Sequence, residues 1–281
     1  MNYRRLGRTD LRVSEVGFGS HHFDRYERRI GCLTEESFTE RDRVQHVATA
    51  LDGGINFLHC AHTIGPERNA EIALFGKVLK KLGRREDCCL AAQFIVPLDL
   101  SEAEISGRVQ GQIDDHLRDL YTDRVEVFEL NIPDDLAHEG SDGLVEGILE
   151  EMERAKGAGK ARYIGGVCHN PAHLIHLMTR YDPFDTVGTP YNVLKPEAKE
   201  RLFPLAREKD VGTVAIQPFG KGQVLLQLEA SDKRLAAVRK GDEGVAPAAL
   251  RWVLSDPNLS VAIPGMKCVE EIVENMGISG T

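Results

Sequence analysis

Three observations in the sequence predict an α/β fold, a parallel (β/α)8 TIM barrel. Short apolar runs recur every few tens of residues, an amphipathic stretch follows each of them, and their number comes close to eight. This alternation is typical of βα units around a parallel sheet. The chain has 281 residues, close to the roughly 250 residues that one such barrel occupies. We therefore expect residues 1–281 to form a single domain.

The first predicted element is an N-terminal β-hairpin. Residues alternate in polarity on both sides of a turn at Gly7–Asp10, as they do in paired antiparallel strands. In a barrel such a hairpin would cap the bottom, where side chains contribute to stability more than to chemistry.

The apolar runs predict eight barrel strands. Runs rich in Val, Ile and Phe are typical of parallel strands, which are buried on both faces. The predicted strands are Ser14–Phe18, Asn56–Cys60, Cys89–Phe94, Val125–Leu130, Tyr163–Val167, Thr186–Thr189, Gly212–Ile216 and Ser260–Ile263.

Between the early strands, apolar residues recur with the 3.6-residue period of amphipathic helices. This pattern predicts helices over Glu40–Asp52, Asn69–Leu82 and Ser101–Leu117. Ser101 followed by Glu104 has the spacing of a capping box, in which each side chain bonds to the backbone of the other residue. That pair predicts where the third helix begins.

The composition argues against several classes of function. The chain has 35 Lys and Arg against 44 Asp and Glu, a net charge of -9, so we expect no binding to nucleic acid or to anionic membranes. No apolar run has the length of a signal peptide or membrane span, which predicts a cytoplasmic protein. The six cysteines show no Cys-x-x-Cys spacing, and this argues against a disulfide framework or a Cys-rich zinc site.

Seven short motifs run in order through almost the whole chain. They are Tyr3–Gly19, Gly54–Phe57, Tyr163–Val167, Tyr191–Asn192, Pro218–Gly220, Ile263–Gly265 and Glu274–Asn275. In these motifs the chain resembles the aldo-keto reductases. The resemblance implies a nicotinamide dinucleotide extended across the C-terminal mouth of the barrel and the reduction of carbonyl compounds.

The resemblance also implies an altered catalytic set. Family members use a Tyr as proton donor beside an Asp, a Lys and a His. At the matching positions this chain has Ile64 for Tyr, His59 for Asp, Gln93 for Lys and Asn131 for His. An isoleucine can neither donate nor accept a proton, so we expect that the family chemistry cannot run here in its usual form.

Some cofactor-binding positions implied by the resemblance differ from the family residues. Cys168 and His169 stand where the family has a Ser-Asn pair that binds the carboxamide, and Gly188 stands at the position of a Gln partner. A carboxylate at Glu271 would repel a 2′-phosphate, which favours NAD over NADP slightly. The other implied cofactor-binding residues are Gly19, Pro218, Gly220, Gly265, Lys267 and Asn275.

Apart from the resemblance, polar side chains follow several predicted strands at the carboxyl ends, where barrel active sites form. The candidates are His59, His62, Gln93, Asn131 and Glu129. An imidazole at His59 suits either acid/base work or a hydrogen bond in a packed pocket. His62 suits a solvent-facing position equally well, and Glu129 suits a buried carboxyl paired with an Arg or a backbone donor. The side-chain amides of Gln93 and Asn131 can orient a substrate without supplying protons.

Three functions stay open at this point. The first is an oxidoreductase of a small carbonyl or hydroxyl compound, with His59 or His62 as proton donor and with Gln93 and Asn131 positioning the substrate. The second is a non-redox lyase, isomerase or hydrolase that uses His59, Glu129 and His169, with or without a divalent metal, although the His59-x-x-His62 spacing is weak support for a metal. The third is an inactive ligand-binding pseudoenzyme. The sequence leaves assembly into a homo-oligomer open.

Overall fold

The computed structural model describes residues 1–20, 38–61, 69–95, 100–133 and 142–281. At its start, strands β1 (Tyr3–Arg5) and β2 (Arg12–Ser14) pair antiparallel as a hairpin. Gly7 in the turn has a φ of +55°, and a Cβ there would lie 2.0 Å from the Gly212 amide nitrogen. Only glycine, which lacks a Cβ, allows so close an approach to the barrel wall. The predicted hairpin cap is confirmed.

Eight parallel strands form the barrel within the described part of the chain. They are β3 (Phe18–Gly19), β4 (Phe57–Cys60), β5 (Cys89–Ile95), β6 (Val125–Asn131), β7 (Ala161–Val167), β8 (Thr186–Pro190), β9 (Gly212–Ile216) and β10 (Val261–Ile263). Each strand pairs with its neighbours in chain order. The ring closes at a parallel bridge between Val16 and Ala262, flanked by a bond from the Gly17 amide to the Ala262 carbonyl (2.8 Å). The predicted fold class is confirmed.

The first barrel strand differs from the prediction of Ser14–Phe18. Ser14 belongs to β2, and only Phe18 and Gly19 form the regular strand β3. The Ser14 amide donates to the side-chain oxygen of Asn56 (2.7 Å), and its hydroxyl donates to the Val16 carbonyl (2.7 Å). These bonds turn the chain from the hairpin into the wall, so the apolar run is divided between two sheets.

Within the described residues nine α-helices accompany the strands. They are α1 (Glu40–Asp52), α2 (Asn69–Leu82), α3 (Glu102–Leu120), α4 (Asp142–Gly157), α5 (Pro171–Arg180), α6 (Leu202–Glu208), α7 (Gln223–Gln227), α8 (Val245–Leu254) and α9 (Val269–Ile278). Both α1 and α2 have the predicted bounds. The capping box at Ser101 and Glu104 is present, and α3 continues past Leu117 to a left-handed cap at Tyr121. None of these helices combines the length and the apolar character needed to cross a membrane.

The barrel interior is apolar near the bottom and polar nearer the mouth. The lower layer packs against Leu6 and Leu11 of the hairpin and contains Phe57, Ala91, Val127, Val214 and Val261. Side chains two residues apart on a strand face the same side. His59, Gln93 and Glu129 therefore follow the apolar layer on β4, β5 and β6, one inward-facing position closer to the carboxyl ends. This change of polarity places the candidate site.

Candidate functional site

The central feature of the interior is a buried histidine–glutamate pair. His59 Nε2 lies 2.9 Å from Glu129 Oε2, and the two side chains are 5% and 1% exposed. The contact runs from β4 to β6 over the intervening strand, where Ala91 lies beside His59 in register. In (β/α)8 barrels one interior layer takes its side chains from alternate strands. Glu129 is thus a buried carboxyl whose partner is an imidazole, rather than an Arg or a backbone donor.

The geometry of this pair determines which nitrogen of His59 can exchange a proton. A carboxylate selects the tautomer in which Nε2 carries hydrogen and donates it, which leaves Nδ1 as an acceptor. No group among the described residues forms a hydrogen bond with Nδ1. His59 therefore has one nitrogen held by Glu129 and one without a hydrogen bond to any described residue.

A second polar pair lies at the ends of β5 and β6. The Asn131 Nδ2 donates to the Gln93 side-chain oxygen at 3.3 Å. Gln93 is buried and Asn131 is half-buried. From outside the barrel, His116 Nε2 lies 2.8 Å from the Gln93 carbonyl oxygen. Burial lowers the pKa of His116, so the neutral ring donates there and fixes the strand end that carries Gln93.

One polar residue of the interior was not singled out from the sequence. Thr186 is 1% exposed, and its hydroxyl oxygen has no hydrogen-bond partner among the described residues. Gly165 lies in register between Glu129 and Thr186. A Cβ on Gly165 would stand 2.4 Å from Thr186 Oγ1 and 3.1 Å from Glu129 Cγ. Because Gly165 has no side chain, the Thr186 hydroxyl and the Glu129 side chain can both approach this position. The register that aligns the three strands cannot be read from the sequence.

The residues after β7 do not present the arrangement expected of a carboxamide site. Cys168 is fully buried, and its sulfur lies 3.8 Å from His173 Nδ1. His169 is exposed, and its Nε2 lies 3.1 Å from Gln217 Nε2. Within the described residues, no hydrogen bond joins His169 to the His59–Glu129 pair. The three groups of the non-redox hypothesis are therefore not brought together as one hydrogen-bonded set.

The loop after β9 has an unusual backbone. Gly220, Lys221 and Gly222 have successive positive φ angles of +57°, +55° and +88°, and Pro218 just before them is buried. The Asn192 side-chain amide donates to the Gln217 carbonyl (3.0 Å) and holds the start of the loop. The Gly220 amide donates to the Gln217 carbonyl (2.8 Å) and the Gly222 amide to the Phe219 carbonyl (2.9 Å), so an anion at this loop would meet the exposed Lys221 side chain.

The remaining predicted cofactor residues lie around β10 and the start of α9. Gly19 is half-buried, and a Cβ there would lie 3.0 Å from Ile263 Cγ2, whereas the space around exposed Gly265 is open. Glu271 is half-buried and accepts from the Lys267 amide at 2.7 Å. Asn275 is buried on the same helix. A helix N-terminus attracts anions, but a carboxylate in its first turn opposes a second negative charge.

His62 and Ile64 lie outside the described residues. In the described ranges no group of three or more His, Cys, Asp or Glu side chains is arranged to hold a metal ion.

The parallel ring, its hairpin cap and the polar pairs near the strand ends define a (β/α)8 barrel with its candidate site at the carboxyl-end side. The sequence model of the Aldo/keto reductase family matches residues 15–280 of this chain. The chain therefore belongs to the aldo/keto reductase family.

Characterised and uncharacterised relatives match along nearly all of the chain. The aldo-keto reductase YhdN of Bacillus subtilis is 24% identical over 300 residues, covering 95% of this chain and 85% of the relative. The uncharacterized oxidoreductase YrpG of the same organism is 26% identical over 307 residues, covering 97% and 89%. L-galactose dehydrogenase of Arabidopsis thaliana is 25% identical over 293 residues, covering 97% and 86%.

Solved structures agree on the fold. The holo form of the aldo-keto reductase AKR11C1 from Bacillus halodurans has a TM-score of 0.75 and 22% sequence identity, and the match covers 100% of this chain and 91% of that one. The apo form of the same protein has a TM-score of 0.74. At this identity the likeness supports the (β/α)8 architecture alone.

Proposed function

We propose that this protein is a nicotinamide-dinucleotide-dependent oxidoreductase of a small carbonyl or hydroxyl compound in which His59 is the proton-transfer residue. Membership of the aldo/keto reductase family supports the reaction class. One observation carries the proposed role of His59, namely its 2.9 Å contact with buried Glu129. A positioned general acid or base typically contributes about 100- to 10,000-fold to a rate.

In this proposal each polar side chain has one task. Glu129 holds Nε2 of His59 and so orients the ring. Nδ1 accepts a proton from a substrate hydroxyl when the ring is neutral, and it donates one to a carbonyl oxygen when the ring is protonated. The amides of Gln93 and Asn131 bind the substrate oxygen and keep it in reach.

The dinucleotide, when bound, supplies or accepts the hydride. The exposed Lys221 side chain in the loop after β9 offers a positive charge that fits a pyrophosphate, while Glu270 and Glu271 in the first turn of α9 weaken the attraction of that helix end for an anion. Cys168 is buried and unsuited to bind the carboxamide, so His169 and Gln217 take that task in this proposal. Gly19, Pro218, Gly265, Lys267 and Asn275 stay predicted cofactor neighbours.

We favour NAD(H) over NADP(H) because of Glu271. Its carboxylate is held against the Lys267 amide near the start of α9, and it would repel the 2′-phosphate of NADP(H). Fluorescence titrations with NADH and NADPH test both the binding and the preference. We expect the wild-type protein to bind NADH more tightly and E271Q to bind NADPH more tightly than the wild type does. Failure to bind either dinucleotide at millimolar concentration would overturn the proposal.

The second candidate is a non-redox enzyme, which the same His59–Glu129 contact supports as an acid/base pair. A substrate screen without added dinucleotide separates the two functions. Turnover of a hydroxy acid, ester or sugar in that screen, abolished in H59Q, would favour the non-redox enzyme. The inert binder differs from both, because replacing His59 by Ala would then leave ligand affinity unchanged.

Other properties stay predictions from the sequence. We propose a small-molecule substrate, a cytoplasmic location, no nucleic-acid or membrane partner, and a single domain over residues 1–281. Assembly into a homo-oligomer is an open possibility of the same kind, and size-exclusion chromatography with light scattering measures it directly.

A further inference from the structure

The hydroxyl of Thr186 is a buried polar group that the interior does not satisfy. Its oxygen lies in the protein interior without a hydrogen-bond partner in the described part of the chain, a state that costs free energy and is uncommon in folded proteins. The oxygen lies 2.4 Å from the point where a Gly165 Cβ would stand, and Glu129 Cγ lies 3.1 Å from the same point. The hydroxyl and the stem of the Glu129 side chain therefore both border the space that the missing Gly165 side chain leaves open.

We propose that Thr186 is a positioning residue for Glu129. Its hydroxyl donates a hydrogen bond to one bound water that in turn donates to the Glu129 carboxylate, and this bridge sets the orientation and charge that Glu129 presents to His59. The inference rests on the proposed function of His59, and it adds a residue of β8 to a site formed by β4, β5 and β6.

The surroundings of Glu129 favour this partner. The inward-facing neighbours in register are Gln93 on β5 and Gly165 on β7. Gly165 has no side chain, and Gln93 is bonded to Asn131. Among the described titratable groups, His59 contacts the carboxylate and the Cys60 thiol is close enough to interact with it electrostatically. Burial raises the pKa of that thiol, so it stays protonated. A carboxylate accepts about four hydrogen bonds, and only His59 among the described side chains donates to this one.

The test compares T186V, which keeps the shape of the side chain but removes the hydroxyl, with T186S, which keeps the hydroxyl. The readout is the titration of the His59 imidazole followed by NMR, with H59Q used to assign the signal. Without the Thr186 donor the carboxylate becomes more basic and holds the imidazolium to higher pH. We expect the midpoint in T186V to move up by about one pH unit, the size of one lost hydrogen bond to a charged group, and T186S to titrate like the wild type.

Three results would decide against the proposal. They are a T186V midpoint equal to that of the wild type, a downward shift, and an equal shift in T186S, which would indicate altered packing rather than a lost hydroxyl. The NMR readout does not depend on turnover. A shifted midpoint in a protein that binds no dinucleotide would therefore support Thr186 as the partner of Glu129 while the oxidoreductase proposal fails.

A measurement on the wild-type protein keeps the inference testable if T186V does not fold. A hydrogen-bonded Thr186 hydroxyl proton exchanges slowly with water and gives a resolved resonance. We expect that resonance, with a cross-peak to the Glu129 methylene protons. A hydroxyl proton that exchanges too fast to be observed below room temperature would overturn the proposal.

Discussion

Two buried carboxylates in this barrel differ in how many hydrogen-bond donors surround them. Glu15, at the bottom, is 3% exposed and accepts from Arg4 (2.6 Å), the Ser279 hydroxyl (2.9 Å) and the Gly280 amide (2.8 Å). Glu129, near the mouth, is 1% exposed, and His59 is its one hydrogen-bond partner among the described residues.

The number of hydrogen-bond partners distinguishes Glu15, a structural carboxylate, from Glu129, a carboxylate suited to chemistry. A fully bonded buried network holds its members rigidly and specifies the fold. An acceptor with unused capacity can instead respond when its partner gains or loses a proton. On this comparison the bottom of the barrel serves stability, and the interior near the mouth serves function. The following variants test that division.

The largest expected effect is on catalysis at the mouth side. H59Q keeps a side-chain amide that can donate to Glu129, but it cannot transfer a proton. We expect a 100- to 10,000-fold lower turnover and little change in the melting temperature. Dinucleotide-linked absorbance with a panel of aldehydes, ketones and alcohols measures the rate. Undiminished turnover in H59Q would exclude His59 as the proton-transfer residue.

The next effect is on stability at the bottom. E15A leaves Arg4 without its buried partner and removes the acceptor of Ser279 and Gly280. Arg4 is 28% exposed and keeps the Leu254 and Leu259 carbonyls as acceptors. We therefore expect a loss of about 1.5–3 kcal/mol in the free energy of unfolding measured with urea, the size typical of lost hydrogen bonds to a charged group. Turnover per folded molecule should not change. A kcat loss in E15A comparable to that of H59Q would contradict the proposed division.

A smaller loss of stability is expected when Gly165 in the barrel interior is replaced by alanine. The added methyl group of G165A must displace Thr186 or Glu129, and overpacking of this kind costs about 1–3 kcal/mol. G111A is the matched control, because a Cβ at that position on α3 meets nothing within 4 Å. We expect G111A to stabilise the protein by about 0.5–1 kcal/mol. Equal unfolding free energies for the two variants would show that the Gly165 contact is not tight.

The smallest effect is the pH dependence contributed by buried histidines outside the barrel wall. Burial lowers the pKa of both His46 and His116 in the folded protein. The unfolded chain therefore binds more protons as the pH falls through about 6.5, and stability decreases there by at most about 1.4 kcal/mol per pH unit for each residue. H116Q should reduce this slope between pH 7 and pH 5, whereas H176Q at an exposed position should not.

Much of the fold was predictable because local patterns decide it. The 3.6-residue period gave α1 and α2 with their observed bounds, and a capping box marked the start of α3. The first barrel strand was not predictable in the same way. One continuous apolar run serves both β2 and β3, and the division depends on hydrogen bonds of Ser14 with the distant Asn56.

The site was predictable as a set of positions but not as a set of contacts. Strand ends indicated His59, Gln93, Glu129 and Asn131, since carboxyl ends of parallel strands meet at one edge. That His59 binds Glu129 depends on the tilt and stagger of strands around the ring. The place of Thr186 depends on the same stagger and on a glycine that makes no contact of its own. These contacts depend on the three-dimensional arrangement of the strands, so the sequence pattern cannot predict them.

The barrel closes at a parallel bridge between Val16 and Ala262, and this has a consequence for how the chain folds. This junction joins residues from the two ends of the sequence, and its short β3 strand contributes few backbone bonds. Contacts between such distant residues form late, because the entropy of closing the long intervening loop opposes them. Until β10 pairs with Val16 and Gly17, a wall formed by the other strands has an unpaired edge. Folding chains thus depend on their last strand to remove a surface that would otherwise pair with a neighbour.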